Sequence, residues 1–309
     1  MYEATANLGR AFCDVSSRLG IGYCSGHFGE LLQGAFTDID GSIVRGLVTL
    51  PYPLAGVMAQ VTAKSGSGEI QVPPGKSKTA ELVRGYVQLH GLAGKVDCAV
   101  QLSSRLVEGV GMGSSTADLI ATVRALDLAL AYRTDDATVA RLAVKTEVAC
   151  DSTMFAARTL LFAQREGRVL EDFGPPLPPM ELVGFNLAPG ETFPTTETPP
   201  ATYTGGEIRE FDELRNMMRR AIRTQEVAAL AEVAKESACI NQCHFPKPRF
   251  NDFLQLADDF GARGVSVAHS GTLGALIYGA DEPRDRSQLI ALKSTAQSMG
   301  YEPMAVFRT

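Results

Sequence analysis

Residues 109–118 read Gly109-Val110-Gly111-Met112-Gly113-Ser114-Ser115-Thr116-Ala117-Asp118, and an Ala/Leu-rich stretch follows to about Ala131. Three glycines at alternate positions give the backbone access to tight and left-handed conformations and let a ligand come close to the main chain. Ser114, Ser115 and Thr116 stand where the loop enters a helix, so the free N–H groups and the positive end of that helix point into the loop. Such an opening suits a phosphate. It is not a Walker loop, because no Gly-Lys-Ser/Thr follows at the required spacing. It also lacks the strand–G-x-G-x-x-G–helix setting of a dinucleotide fold. Taken alone, the stretch also reads as a strand-to-helix turn with capping hydroxyls.

On the N-terminal side, Ile43–Leu50 and Leu54–Val61 carry β-branched and small apolar residues separated by turn signals, which predicts two strands. Thr79–Leu92 has helical apolar spacing, and Val96–Leu102 alternates as a strand. After the loop and its helix, a second helix is expected over Asp135–Thr146, with Thr134 and Asp135 as capping candidates. Thr159–Gln164 and Glu181–Asn186 read as strands on either side of Pro175-Pro176 and Pro178-Pro179. That punctuation suggests two domains, residues 1–178 and 179–309. Pro189–Gly206 reads as a long loop. Helices are expected at Glu207–Thr224, Glu226–Ala238, Asn251–Gly261 and Asp285–Met299, and strands at Val265–His269, Leu273–Tyr278 and Pro303–Arg308. Strands mixed with helix pairs, without regular alternation, point to the α+β class.

Composition sets outer limits. The chain has 309 residues, of which 45% are hydrophobic and 21% charged, with 29 Lys+Arg against 35 Asp+Glu for a net −6. A chain of this length buries enough surface to fold without a disulfide or metal staple. The acidic balance argues against a general nucleic-acid or membrane binder, while a small anion can still be held by backbone N–H groups. Cys13, Cys24, Cys98, Cys150, Cys239 and Cys243 form no C-x-x-C pair. They read as reduced thiols of a cytoplasmic protein, and Cys239, Cys243 and His244 lack the further ligands of a structural zinc site. The N-terminus shows no basic start followed by an apolar core, so no signal peptide is expected there.

Four segments carry a resemblance. V-x-x-x-G-M-G-S-S-T-A-D, ending at Asp118, resembles the ATP loop of the GHMP kinases, with Val107 where that loop usually has Pro. Gly26–Gly34 (GHFGELLQG), Glu147–Phe155 (EVACDSTMF), and Phe245–Phe250 (FPKPRF) with Gly264–Gly274 (GVSVAHSGTLG) resemble, in this order, motifs of the L-threonine kinase branch. The resemblance implies a two-domain GHMP fold: an N-terminal domain like the second domain of ribosomal protein S5 and a ferredoxin-like C-terminal domain. It implies ATP with Mg²⁺ and transfer of a phosphoryl group to the side-chain hydroxyl of L-threonine or a similar small alcohol, such as L-serine or homoserine. A second reading keeps the fold without the chemistry, as a nucleotide or metabolite sensor.

Within this resemblance, Gly109, Gly111, Met112, Gly113, Ser114, Ser115 and Thr116 are expected to cradle the nucleotide phosphates. Ser115 and Glu147 are the expected Mg²⁺ contacts, since a hard cation takes hydroxyl and carboxylate oxygens together. Asp151 is the expected proton acceptor; the alternative is a cap on the turn after it. If the helix continues past Glu147, Glu147 and Asp151 share one face. His27 and Glu30, in a polar turn beside a strand, line the acceptor pocket with Gln33, and His269, Ser270 and Gly271 form a second glycine loop that closes on it. An amino-acid acceptor asks for a cation opposite its carboxylate, for which Arg45 and Lys247 are the candidates, although Lys247 between two prolines also reads as structural. The partner is a small molecule, with no nucleic acid or membrane, and a homodimer is compatible with the sequence.

Overall fold

The computed structural model describes residues 17–155, 158–191, 201–269, 271–282 and 284–309. Strands β1 (Arg18–Thr37) and β2 (Ile43–Ser65) form a long antiparallel hairpin, in register from Arg18↔Ala63 to Thr37↔Ile43. The Asp40 carboxylate closes its turn by accepting from the Ser42 N–H at 2.9 Å and from the Ser42 hydroxyl. The two strands expected at 43–50 and 54–61 are therefore one. Pro51 and Pro53 bend the strand without ending it: pairing jumps from Gly26↔Tyr52 to Ser25↔Gly56, so the residues between bulge out of the ladder.

Strand β3 (Ile70–Gln71) and helix α1 (Ser77–Leu89) precede β4 (Val96–Ser104), which pairs with the far half of β2. Helix α2 (Ser114–Leu130) lies on β1 and β2, with α1 and α3 (Asp136–Glu147) packed beside it. Leu119, Ile120, Val123 and Leu126 of α2 are at most 1% exposed. Each contributes about 1.5–3 kcal/mol by leaving water, and a helix apolar on all sides belongs inside a fold. The helix backbone rests directly on β1, where a Cβ at Gly22 would stand 2.1 Å from the Ala121 carbonyl oxygen. This close seat fixes where the N-terminus of α2 points. Asp135 caps α3 by accepting from the Thr138 N–H.

The hairpin of β5 (Thr159–Ala163) and β6 (Arg168–Gly174) joins β2 at Leu47↔Phe162. Strand β6 is unforeseen in the sequence. It is mostly half-buried, with Phe173 its one buried residue, and leaves little apolar periodicity to read. Strands β7 (Met180–Asn186), β8 (Gly264–Val267), β9 (Leu273–Gly279) and β10 (Glu302–Arg308) extend the same sheet. Its order is β10-β7-β9-β8-β1-β2-β4-β3. Helices α4 (Gly205–Thr224), α5 (Val227–Asn241), α6 (Phe250–Asp259) and α7 (Arg286–Ser298) complete the α+β fold. A second core gathers Val183, Phe185, Phe253, Leu256 and Tyr278. Strand β1 meets β8 at Glu30↔Val267, the seam between the N-terminal and C-terminal strands. Among the described residues no helix is long and apolar enough to cross a membrane.

Candidate active site

At this seam a cleft of about 490 Å³ opens over the N-terminus of α2. Gly113, the residue before the helix, is left-handed at φ 66°, and no side chain caps the helix. The amides of the first turn therefore remain available at the positive end of the helix dipole. Gly109, Gly111, Met112, Gly113, Ser114, Ser115 and Thr116 all border the cleft, as the sequence leads one to expect. The loop is held from both sides. The His27 N–H of β1 donates to the Met112 carbonyl at 3.1 Å, and the Thr272 N–H donates to the Val110 carbonyl at 2.9 Å. Gly271 abuts Gly111 so closely that a Cβ on it would fall 2.5 Å from the Gly111 Cα.

Helix α3 ends at Glu147 because Val148 turns left-handed at φ 72°. Glu147 and Asp151 thus do not share a helical face, contrary to the expectation from spacing. Both still reach the cleft, Glu147 from the helix end and Asp151 from the segment after it. The Ser115 hydroxyl donates to one Glu147 oxygen and the Thr116 hydroxyl to the other at 2.9 Å. Burial raises the Glu147 carboxyl above its ordinary range, while Ser115, the Lys78 ammonium and Thr116 pull it back. Lys78 stands 3.8 Å from Glu147 and 3.4 Å from the Ser115 hydroxyl. Hydroxyl and carboxylate oxygens side by side, already drawing one cation, are a donor set that fits Mg²⁺.

In the middle of the cleft His27 Nε2 lies 3.0 Å from Asp151 Oδ2. His27 is in the interior of β1, not in a turn beside a strand; the register breaks around it turn its side chain inward. Burial opposes a charge on the imidazole, but Asp151, with Glu30 on the other side, overrides burial and raises it to about 9. Burial likewise pushes Asp151 up, and His27 overrides it and holds the carboxyl below its usual range. At neutral pH the pair is imidazolium and carboxylate. Gly113 makes room for it, since a Cβ there would stand 2.4 Å from the His27 ring and 2.7 Å from Asp151 Oδ2. His27, Glu30 and Asp151 bring three potential ligand atoms within 4.8 Å of one another, and the proton on His27 balances the Asp151 charge.

Glu30 and His269 also border the cleft. Glu30 Oε2 accepts from the His269 N–H at 2.8 Å, and burial raises its carboxyl to about 7 against the pull of His27. Burial and Lys247 lower His269 to about 4, so its ring is neutral. Gln33 and Gly271 do not border the cleft. Gln33 stands behind His269, with Oε1 2.7 Å from Nδ1 of that ring, and Gly271 is the support of Gly111. Ser270 lies outside the described residues. Lys247 is 9% exposed, and its ammonium donates to the carbonyls of His269 at 3.1 Å and Gly271 at 2.7 Å. It clamps the second glycine loop, so it is not free to meet a substrate carboxylate as the sequence allowed.

Lys78, Gln164, Arg165 and Tyr203 border the cleft without having stood out in the sequence. Lys78 follows Pro73-Pro74-Gly75 at the start of α1, a detectable signal for a residue held near the loop. Arg165 and Tyr203 have no local pattern.

Residues 78–157 match the family model described as the GHMP kinases N terminal domain. By this stretch the chain resembles the GHMP kinases. It is 32% identical over 197 residues to an L-threonine kinase of Salmonella typhimurium, which is 63% of this chain and 63% of that protein. To an L-threonine kinase of Citrobacter freundii it is 30% identical over 184 residues, 59% of this chain and 62% of the relative. The matches thus span less than two thirds of these relatives. The GHMP fold extends over nearly the whole chain. Homoserine kinase from Cytophaga hutchinsonii superposes with a TM-score of 0.62 at 13% identity, covering 95% of this chain and 94% of its own. Mevalonate diphosphate decarboxylase from Staphylococcus aureus gives 0.66 at 13% identity, covering 95% and 98%.

Proposed function

We propose that the chain is an ATP-dependent small-molecule kinase whose acceptor is the side-chain hydroxyl of L-threonine or a similar hydroxy amino acid. The observation that carries this is the uncapped N-terminus of α2 with the Ser115–Thr116–Glu147 cluster and the Asp151–His27 pair beside it. The named activity of the two L-threonine kinase relatives supports the acceptor. Positioning and charge neutralisation are most of what phosphoryl transfer asks of a protein, and these groups supply both.

The amides from Gly111 to Thr116 hold the nucleotide phosphates. Ser115 and Glu147 hold Mg²⁺, which when bound neutralises phosphate charge. Asp151, ionised beside His27, orients the acceptor hydroxyl and takes its proton as the oxygen bonds to the γ-phosphorus. The bond from that phosphorus to the β–γ bridging oxygen breaks, and ADP leaves with the electron pair. The low basicity of Asp151 suits a step in which the proton moves late. His27 keeps the carboxylate charged and turned toward the cleft.

ADP release with ATP, Mg²⁺ and a panel of L-threonine, L-serine and L-homoserine tests the proposal. Turnover with one of these is the expected outcome. Nucleotide binding without turnover across the panel would sink the kinase reading in favour of a sensor.

A further inference from the structure

The wall of the cleft away from the helix N-terminus is built by β2 and the end of β5. Leu47 pairs antiparallel with Phe162. Two residues along each strand in opposite chain directions come Arg45 and Gln164, which places them opposite one another. Arg45, Leu47, Gln164 and Arg165 all border the cleft. Neither guanidinium is paired with a carboxylate among the described residues. Arg45 spends one N–H on the Ala201 carbonyl at 2.5 Å, which braces it at half burial, and Arg165 is exposed at the mouth. Each also helps to lower His269, on which Asp151 acts in the opposite sense.

A second observation is independent of charge. Gln164 is 6% exposed, and its Oε1 is a buried acceptor with no hydrogen-bond partner. An orphaned buried acceptor has lost its hydration with nothing in return, which is unfavourable. Gln164 borders the cleft, so rotation of its carboxamide about the terminal bond can turn that oxygen toward a donor on a ligand.

Two guanidiniums without a carboxylate partner among the described residues, and one unsatisfied acceptor, complement a zwitterion. We propose that Arg45 and Arg165 bind the carboxylate of a free α-amino acid and that Gln164 accepts from its ammonium, so that these three residues select the acceptor. Guanidinium matches a carboxylate in two-pronged geometry, which an ammonium from lysine does not. The inference rests on the kinase reading for the place of the acceptor. The recognition itself is independent of turnover.

Calorimetric titration of the protein, loaded with a non-hydrolysable ATP analogue and Mg²⁺, separates the two. The probes are L-threonine, its alcohol L-threoninol, which lacks the carboxylate, and 3-hydroxybutyrate, which lacks the ammonium. L-Threonine is expected to bind at least ~10-fold more tightly than either, the scale of one charged hydrogen bond. Arg165→Met, at an exposed side chain, is expected to weaken L-threonine by ~10-fold or more and to leave threoninol and the nucleotide analogue unmoved. Arg165→Lys should recover part of the loss, and Gln164→Met should erase the preference over 3-hydroxybutyrate. Equal affinities for L-threonine and threoninol, or an Arg165→Met defect in nucleotide affinity instead, would overturn the assignment. So would failure of L-threonine, L-serine and L-homoserine all to bind the unaltered protein. Binding of L-threonine with this pattern but no ADP release leaves the recognition site standing and removes the kinase reading.

Discussion

Asp151 and His27 depend on each other. The imidazolium keeps the carboxylate ionised, and the carboxylate keeps the imidazole protonated, although burial disfavours both charges. Asp151→Asn retains the shape and removes the proposed proton acceptor. Turnover is expected to fall by about 10²–10⁴-fold, with nucleotide affinity near that of the parent; equal turnover would remove Asp151 from the proposed role. The pair also leaves a signature in stability. His27 has a folded-state value of about 9 against an ordinary 6.5. A raised value means that the folded state holds the proton more tightly, so the contribution is complete below pH 6.5 and disappears as pH rises through about 9. His27→Gln should lack that dependence. Urea titrations of both proteins at pH 6 and pH 10 are expected to show a stability difference at the lower pH that shrinks at the higher, and a constant difference would refute the coupling.

At the scale of elements, the helix N-terminus and the ionic pair meet at Gly113. Its φ of 66° suits glycine, and the His27 ring occupies the space a Cβ needs. Gly113→Ala therefore combines backbone strain with displacement of His27. A loss of about 1–3 kcal/mol in urea unfolding is expected, together with a drop in turnover exceeding any change in fold content by circular dichroism. Other elements show how far local pattern reaches. Helix α2 was legible because its loop, hydroxyls and apolar run all agree. The end of α3 was not, because the left-handed Val148 carries no glycine or asparagine to announce it. Strand β2 was split in two because prolines signal a turn locally, while the partner strand β1 tolerates them through a bulge.

On the scale of the whole molecule, the two glycine loops lie far apart in the sequence and touch at Gly111 and Gly271. Lys247 holds the second loop by two carbonyls, and burial lowers its ammonium to about 8. Lys247→Met keeps most of the unbranched stem and leaves those carbonyls unpaired. The expected outcome is a destabilisation of about 1–3 kcal/mol by urea unfolding and a higher KM for ATP, since the first loop loses its support. A rise in the acceptor KM alone would instead place Lys247 at the substrate.

By itself the sequence determined the α+β class, the glycine loop at 109–118 that opens α2, and many of the residues that line the cleft, because glycine spacing, capping hydroxyls and apolar periodicity are local properties of a chain. Only the tertiary structure decided that His27 and Asp151 are one ion pair, that Lys247 is a clamp, and that Arg45, Gln164 and Arg165 share a wall. Those relations depend on which strands lie side by side, and strand pairing between distant segments is set by the burial of the whole core and leaves no mark on any one stretch of residues.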